Sequence, residues 1–314
     1  MRVRMFLLSA LAVIFVGHWS APVSRADSFT VTIESTTNPV GNPVNLSGSS
    51  PLSASVTVTG KGPNGGGGMP IGTFTDTATA AAGAGVLRGS SLDIINYTNP
   101  LGGQAGFVSE IETNSSFNLN GLRISGPAGT ISVSFNVNVT GSLAASAGVG
   151  RAGQATVSLF GGQGSSFGGG GIGVNGATLN SNGTFSGSGI FSGLSNAGNI
   201  SAPFQTPLFQ TFAGDPSLYF ALQLHTTAFC ALSTGAFAGQ NCTASSDWAH
   251  TISFPTNGPV MNLPAGYTVN SLDGSIVNNH FAPPPTTIPE PSTLLLFGSG
   301  LIAMAGAARR KLLN

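Results

Sequence analysis

Charge is what this sequence has least of. Asp, Glu, Lys and Arg together supply 6% of its 314 residues, against roughly 25% in an ordinary soluble domain. Residues 152–308 contain no Lys or Arg at all. Over residues 27–287, four bases (Lys61, Arg88, Arg123 and Arg151) stand against nine acids, a net of −5. That balance makes nucleic acid a poor partner, because binding phosphate needs a basic surface. It does not imply disorder, which combines low hydrophobicity with high net charge, since 41% of the residues are apolar and the formal charge is zero. Ser, Thr, Asn and Gln must therefore carry the solvation. Such a surface suits polysaccharide or a hydrated matrix better than charged ligands.

Catalytic and metal-binding residue sets are equally sparse. Residues 113–214 contain no Asp or Glu. Gly168, Gly170 and Gly173 match the spacing of a dinucleotide-binding turn, but that motif needs a following helix and an acid about 20 residues on, and neither is present. Gly164-Ser165-Ser166-Phe167-Gly168 spells a nucleophile elbow, whose serine must sit on a sharp strand-to-helix turn. The surrounding glycines defeat that helix. Glu110 and Glu112 share one face of a strand, where two carboxylates can serve glycosidase chemistry or calcium binding, although a solvated strand face is the plainer reading. His250 and His280 read as structural or exposed. Trp248, Tyr219 and Tyr267 have the chemistry to stack on sugars but read as core. The only cysteines, Cys230 and Cys242, have His225, Asp247 and His250 as their nearest further ligands in sequence. These are too few and too irregularly spaced for a tetrahedral metal site. The reading is therefore no catalytic residue, no cofactor and no metal, and so no enzyme.

What the sequence does have lies first at its two ends. Arg2 and Arg4 precede an apolar run over residues 5–16, and Ser24-Arg25-Ala26 closes the segment with small residues at both cleavage positions. This predicts a secretory signal peptide over residues 1–26, cut between Ala26 and Asp27. Export would put Cys230 and Cys242 in an oxidising compartment, so a disulfide between them is expected. At the other end, residues 282–287 carry three consecutive prolines and form a stiff extended spacer. Ile288-Pro289-Glu290-Pro291-Ser292 follows, then 16 residues without charge, 293–308, and then Arg309-Arg310-Lys311. As a helix the uncharged run would reach about 24 Å, short of the roughly 30 Å hydrocarbon core, so it reads as a weak transmembrane anchor. The basic stop belongs on the cytoplasmic side.

This order closely resembles the PEP-CTERM sorting tail, the signal recognised by exosortases in Gram-negative bacteria that make exopolysaccharide. The resemblance covers residues 288–314 with no visible departure. It implies that Pro289, Glu290 and Pro291 form the sorting motif and that an exosortase-type membrane protease is a partner. It further implies an inner-membrane anchored intermediate and a final place at the cell surface or in the extracellular matrix, with exopolysaccharide as a further partner.

Between the ends, residues 27–281 read as one exported β-rich domain. Apolar residues alternate with polar ones at Phe29/Val31/Ile33, at Ile131/Val133/Phe135/Val137/Val139 and at Leu218/Phe220/Leu222/Leu224, the period of half-buried strands. Phe117 and Leu119 alternate too, but Gly121 shifts the phase to Leu122 and Ile124, the signature of a bulge. Asp273-Gly274 marks a two-residue hairpin. Glycine tracts at residues 64–68 and 161–176 read as loops, with a weak boundary near residue 165. Gly72-Thr73-Phe74-Thr75 and Gly183-Thr184-Phe185-Ser186 are alike but set no repeat period. With no amphipathic helix in the body, the expected fold is all-β, an antiparallel sandwich of jelly-roll type with Gly-rich loops, followed by a single C-terminal transmembrane helix. The expected role is an exported structural protein of the cell surface or biofilm matrix. A carbohydrate-binding adhesin is the alternative, and a secreted hydrolase the outsider.

Overall fold

The computed structural model describes residues 27–35, 43–62, 72–83, 85–98, 107–147, 151–164, 170–192, 199–232 and 241–282. Contacts part the chain between Ala282 and Pro283. The signal segment 1–26 and the tail 283–314, with its expected helix, lie outside the described residues, as does the glycine tract at 64–68. Among the described residues no helix is long and apolar enough to cross a membrane.

Among the described residues nineteen strands follow one another: β1 Ser28–Ser35, β2 Val44–Gly48, β3 Leu52–Lys61, β4 Gly72–Gly83, β5 Val86–Tyr97, β6 Phe107–Leu119, β7 Leu122–Ser125, β8 Thr130–Ala147, β9 Arg151–Gly164, β10 Gly170–Asn180, β11 Phe185–Gly187, β12 Asn199–Gln205, β13 Phe209–Phe212, β14 Tyr219–Leu232, β15 Asn241–Ser253, β16 Met261–Asn262, β17 Thr268–Ser271, β18 Ile276–Val277 and β19 His280–Phe281. The first sheet runs β11-β10-β9-β14-β6-β1-β2 and the second β12-β8-β15-β5-β4-β3, with β13 and β16 also pairing β8. Every pairing is antiparallel. The all-β, antiparallel expectation therefore holds. The connectivity is simpler than the two Greek keys of a jelly roll, because β3-β4-β5 and β9-β10-β11 are meanders that stay within one sheet. The non-local steps run between these units: β6 returns to β1, β12 returns to β8, β14 slots between β9 and β6, and β15 between β8 and β5.

The strands form because alternate residues have a core to enter. Phe29, Val31 and Ile33 of β1, Ile131 to Val139 of β8, and Leu218, Phe220, Leu222 and Leu224 around β14 are all buried, as the period of two requires. At one end of the interior, aromatic rings join the sheets: Phe135 of β8 stacks on Phe220 of β14 at 4.2 Å between centroids. Phe117 and Phe254 pack around that pair at 5.6–5.9 Å.

Three local readings change. The described parts of the tract at 161–176 are strand and not loop: Gly161 pairs with Ile172, Gly162 with Gly171 and Gln163 with Gly170, joining β9 to β10. Glycine weakens a strand by its backbone entropy, but β9 is hydrogen-bonded on both sides, to β10 and to β14, and the ladder outweighs that cost. The weak boundary expected near residue 165 lies outside the described residues. Gly121, at φ +71°, marks a break between strands of different sheets, since β7 leaves to pair with β17. Leu122 and Ile124 are nonetheless buried in phase. Asp273-Gly274 makes a turn, closed by the Gly274 N–H donating to the Ser271 carbonyl at 3.3 Å. The two-residue hairpin lies further on, at Asn278-Asn279 between β18 and β19. Both asparagines have positive φ, 50° and 66°, as a type I′ turn demands.

Cys230 near the end of β14 and Cys242 at the start of β15 are joined by a disulfide, with Cα atoms 5.8 Å apart. It ties one sheet to the other. Closing a chain segment of this length stabilises by about 2–3 kcal/mol through lost unfolded-state entropy. Chemical denaturation with and without reductant should show the reduced protein less stable by that amount, and coincident unfolding curves would contradict it.

Candidate functional site

The outer face of the first sheet holds the carboxylates singled out from sequence. Glu110 and Glu112 lie on the solvent side of β6, and Thr227 of β14 is the cross-strand neighbour of Glu112. The Glu112 Oε2 atom meets His225 Nε2 at 3.2 Å. The hydrogen bond from His225 lowers the Glu112 pKa more than partial burial raises it, and Glu110 contributes a further hydrogen bond. A carboxylate held this way is a stable anion, the opposite of what a general acid needs. Of the three residues weighed as metal ligands, the two whose side chains are described do not converge with the cysteines. His225 faces out from the first sheet, while Cys230 and Cys242 are wholly buried. Asp247, cross-strand from Ser90, faces out from the second. The side chain of His250 lies outside the described residues.

Two of the aromatic candidates, Trp248 and Tyr267, are tied into the fold by hydrogen bonds. Trp248 is buried, its Nε1 donates to Ser246 Oγ at 3.1 Å, and it meets Phe191 edge-on. Tyr267 donates its hydroxyl to the Pro127 carbonyl at 2.9 Å, and Tyr219 is half-buried. His280 lies in the exposed β18–β19 hairpin, bridged through its backbone to Pro259. Gly170 and Gly173 begin strand β10, not a helix, which removes the phosphate-cradling geometry from the glycine motif. Ser166 lies outside the described residues.

Sequence reading missed the polar seam inside the molecule. Asp76 of β4 and Asp93 of β5 are direct cross-strand partners, and both are fully buried. Asp76 accepts from Ser109 Oγ at 2.8 Å and from Ser35 Oγ at 3.0 Å, both reaching across from the first sheet. Burial, and then the neighbouring Asp76 charge, push the Asp93 carboxyl up to about 9. Asp93 therefore keeps its proton at neutral pH beside the Asp76 carboxylate. Beside it, Thr226 Oγ1 lies 2.7 Å from both Ser91 Oγ and Thr113 Oγ1, and Ser115 donates to the Arg88 carbonyl at 2.9 Å. A second carboxyl pair lies elsewhere: burial and the facing Asp273 raise Asp27 to about 7. Asp273 is also penalised by burial, but hydrogen bonds from Ser271 and Ser275 leave it lowered on balance. The missed signal was phase. Asp76 falls in register with Phe74 and Ala78, and Asp93 with Ile95 and Tyr97, all buried.

The outer face of the second sheet is different again. Cross-strand rows read Ser55–Thr79–Ser90–Asp247, Thr57–Thr77–Leu92–Ser245 and Thr59–Thr75–Ile94–Thr243. Most of that face is hydroxyl. At one end of it an open cleft of about 260 Å³ is lined by Pro51, Ser53, Ala81, Gly83, Val86 and Arg88 among others.

The chain carries a PEP-CTERM protein-sorting motif, matched over residues 287–311. That motif marks an exported protein with a membrane-anchored intermediate and an exosortase as its processing partner. No curated protein matches. Among solved structures, one described as the structure of infectious bursal disease virus Gx strain aligns at 13% identity over 77% of this chain and 62% of that one. The chain thus spans less than two thirds of it, and a TM-score of 0.10 carries no argument.

The Asp93 proton has a pH signature. An acid whose folded pKa is raised gives stability that is complete below its unfolded value, near 4, and is lost as pH climbs towards the folded value near 9. Asp93→Asn removes that proton, so between pH 5 and 8 its unfolding free energy should fall less steeply than wild type, by about 1.4 kcal/mol per pH unit. Denaturant titrations at four pH values test this, and parallel slopes would refute the retained proton.

Proposed function

We propose that this is a non-enzymatic structural protein of the surface or exopolysaccharide matrix of a Gram-negative, biofilm-forming bacterium, delivered there by its tail. The sorting motif at 287–311 carries the reading. The division of the chain supports it: a signal peptide over 1–26, a β-rich body over 27–281, a proline spacer over 282–287 and the tail over 288–314. In this reading Pro289 and Pro291 fix an extended backbone for a protease cleft, and Glu290 offers it one charge. Arg309, Arg310 and Lys311 hold the tail on the cytoplasmic side until processing. The body then presents the hydroxyl face of the second sheet, a surface that exchanges hydrogen bonds with sugars and water without needing charge.

A carbohydrate-binding adhesin is the second reading. The cleft beside Arg88 favours it, because an exposed guanidinium over small side chains fits an acidic sugar.

Replacing Pro289, Glu290 and Pro291 together with Ala tests the first reading in hosts with and without an exosortase. Fractionation and intact-mass analysis should show wild type losing its end near Ser292 only in the exosortase host, while the triple variant keeps residues 293–314 in both. Equal masses and fractions for the two forms would sink it.

A further inference from the structure

A β-sheet ends in strands whose outward N–H and C=O groups have no neighbour, and folded proteins guard those edges with short strands, proline, charge or bulges. Among the described residues, three of the four ends of the two large sheets are guarded. On the first sheet, β2 has five residues and β11 three. On the second, β12 carries Pro203 at its centre. The fourth, β3, runs for ten residues and pairs with β4 through ten consecutive partners with no break in register. It contains no proline and no acid, and its only charge is Lys61 at its last position. Among the described residues no strand pairs with its outer side.

The side chains of β3 are incomplete in the same direction. Leu52, Ala54, Val56 and Val58 point towards the core but are only half-buried, whereas Phe74, Ala78, Ala80 and Ala82 of the adjacent β4 are buried to 4% exposure or less. The apolar layer stops at β3 before it is covered. On the other face Ser53, Ser55, Thr57 and Thr59 are exposed.

We propose that β3 is the seam along which two copies of this chain join, edge to edge and antiparallel, about a two-fold axis at Val56. The sequence of β3 is complementary to itself under that operation. Ala54 faces the partner's Val58 on the core side, while Ser55 faces the partner's Thr57, and Ser53 the partner's Thr59, on the solvent side. Like thus meets like on each face, as cross-strand pairing favours. No charge opposes another, because each Lys61 falls beyond the paired run, at opposite ends of the joint. The contact is isologous and so closes at two copies. It completes the apolar layer and makes one continuous sheet, across which the Ser and Thr rows run from one copy into the other.

The register gives the test. In the full exported protein, sedimentation or light scattering should find a mass twice that of one chain, falling to one chain on dilution. Ser55→Glu with Thr57→Glu sets carboxylates against carboxylates across the joint and should give a single-chain mass at every concentration. Ser55→Lys with Thr57→Glu sets each lysine against the partner's glutamate and should restore the doubled mass. Both positions involved are solvent-facing, and a cooperative thermal unfolding transition confirms that each variant folds. A wild type that stays single at all concentrations overturns the proposal. So does a dimer indifferent to the glutamate pair, and failure of the lysine–glutamate variant to restore pairing overturns the two-fold register.

Discussion

Around Gly89 the two sheets lie close because the residues between them are small, and that closeness dictates what this part of the interior must contain. A side-chain methyl placed on Gly89 would stand 2.9 Å from Thr113 Oγ1 and 3.1 Å from Thr226 Cγ2. Ser91, Thr113 and Thr226 take up the space with hydroxyls, and buried hydroxyls must find partners. They find one another, across the sheets as well as along them. The carboxyl pair extends the same seam, with Asp76 drawing in Ser35 and Ser109 from the opposite sheet. Directional bonds of this kind fix how the sheets align, which contact between apolar surfaces alone does only loosely. The phenylalanine cluster at the other end supplies the non-directional part.

A body so poor in charge nevertheless spends four of its nine acids inside: Asp27, Asp76, Asp93 and Asp215 are buried. Asp215 acts locally, accepting from the Ser217 N–H and hydroxyl at 2.8 and 2.7 Å. The other three belong to pairs that only a retained proton or several donors make tolerable. The outer surfaces keep only Glu34, Glu110, Glu112, Asp247 and Asp273, and the second sheet presents mostly hydroxyls where another protein would present carboxylates and ammonium groups.

How much of this was legible depends on how local the cause is. The strands at Phe29–Ile33 and Ile131–Val139 were readable because alternation is a nearest-neighbour property. So was the tail, whose order of proline, glutamate, apolar run and basic end is linear by nature. The glycine tract was misread because composition reports what a backbone prefers alone, while β9 answers to the strands on either side of it. Asn278-Asn279 was overlooked in favour of Asp273-Gly274, since Asp-Gly is the stronger turn signal and which strands face each other is decided elsewhere. Asp76 and Asp93 were passed over because an acid is read as surface by default. Only their phase with Phe74 and Ile95 gave them away.

The hydroxyl rows of the second sheet have one further consequence, for the medium the protein lives in. Surfaces that interact through fixed charge feel one another over a Debye length of about 10 Å at 0.1 M salt, and that reach collapses or swells with every change of salinity. A face built of Thr57, Thr59, Thr75, Thr77 and their neighbours has almost no such field to lose. Its grip on surrounding water depends on contacts a single molecule deep, so rain, brine and drift in acidity leave it much the same.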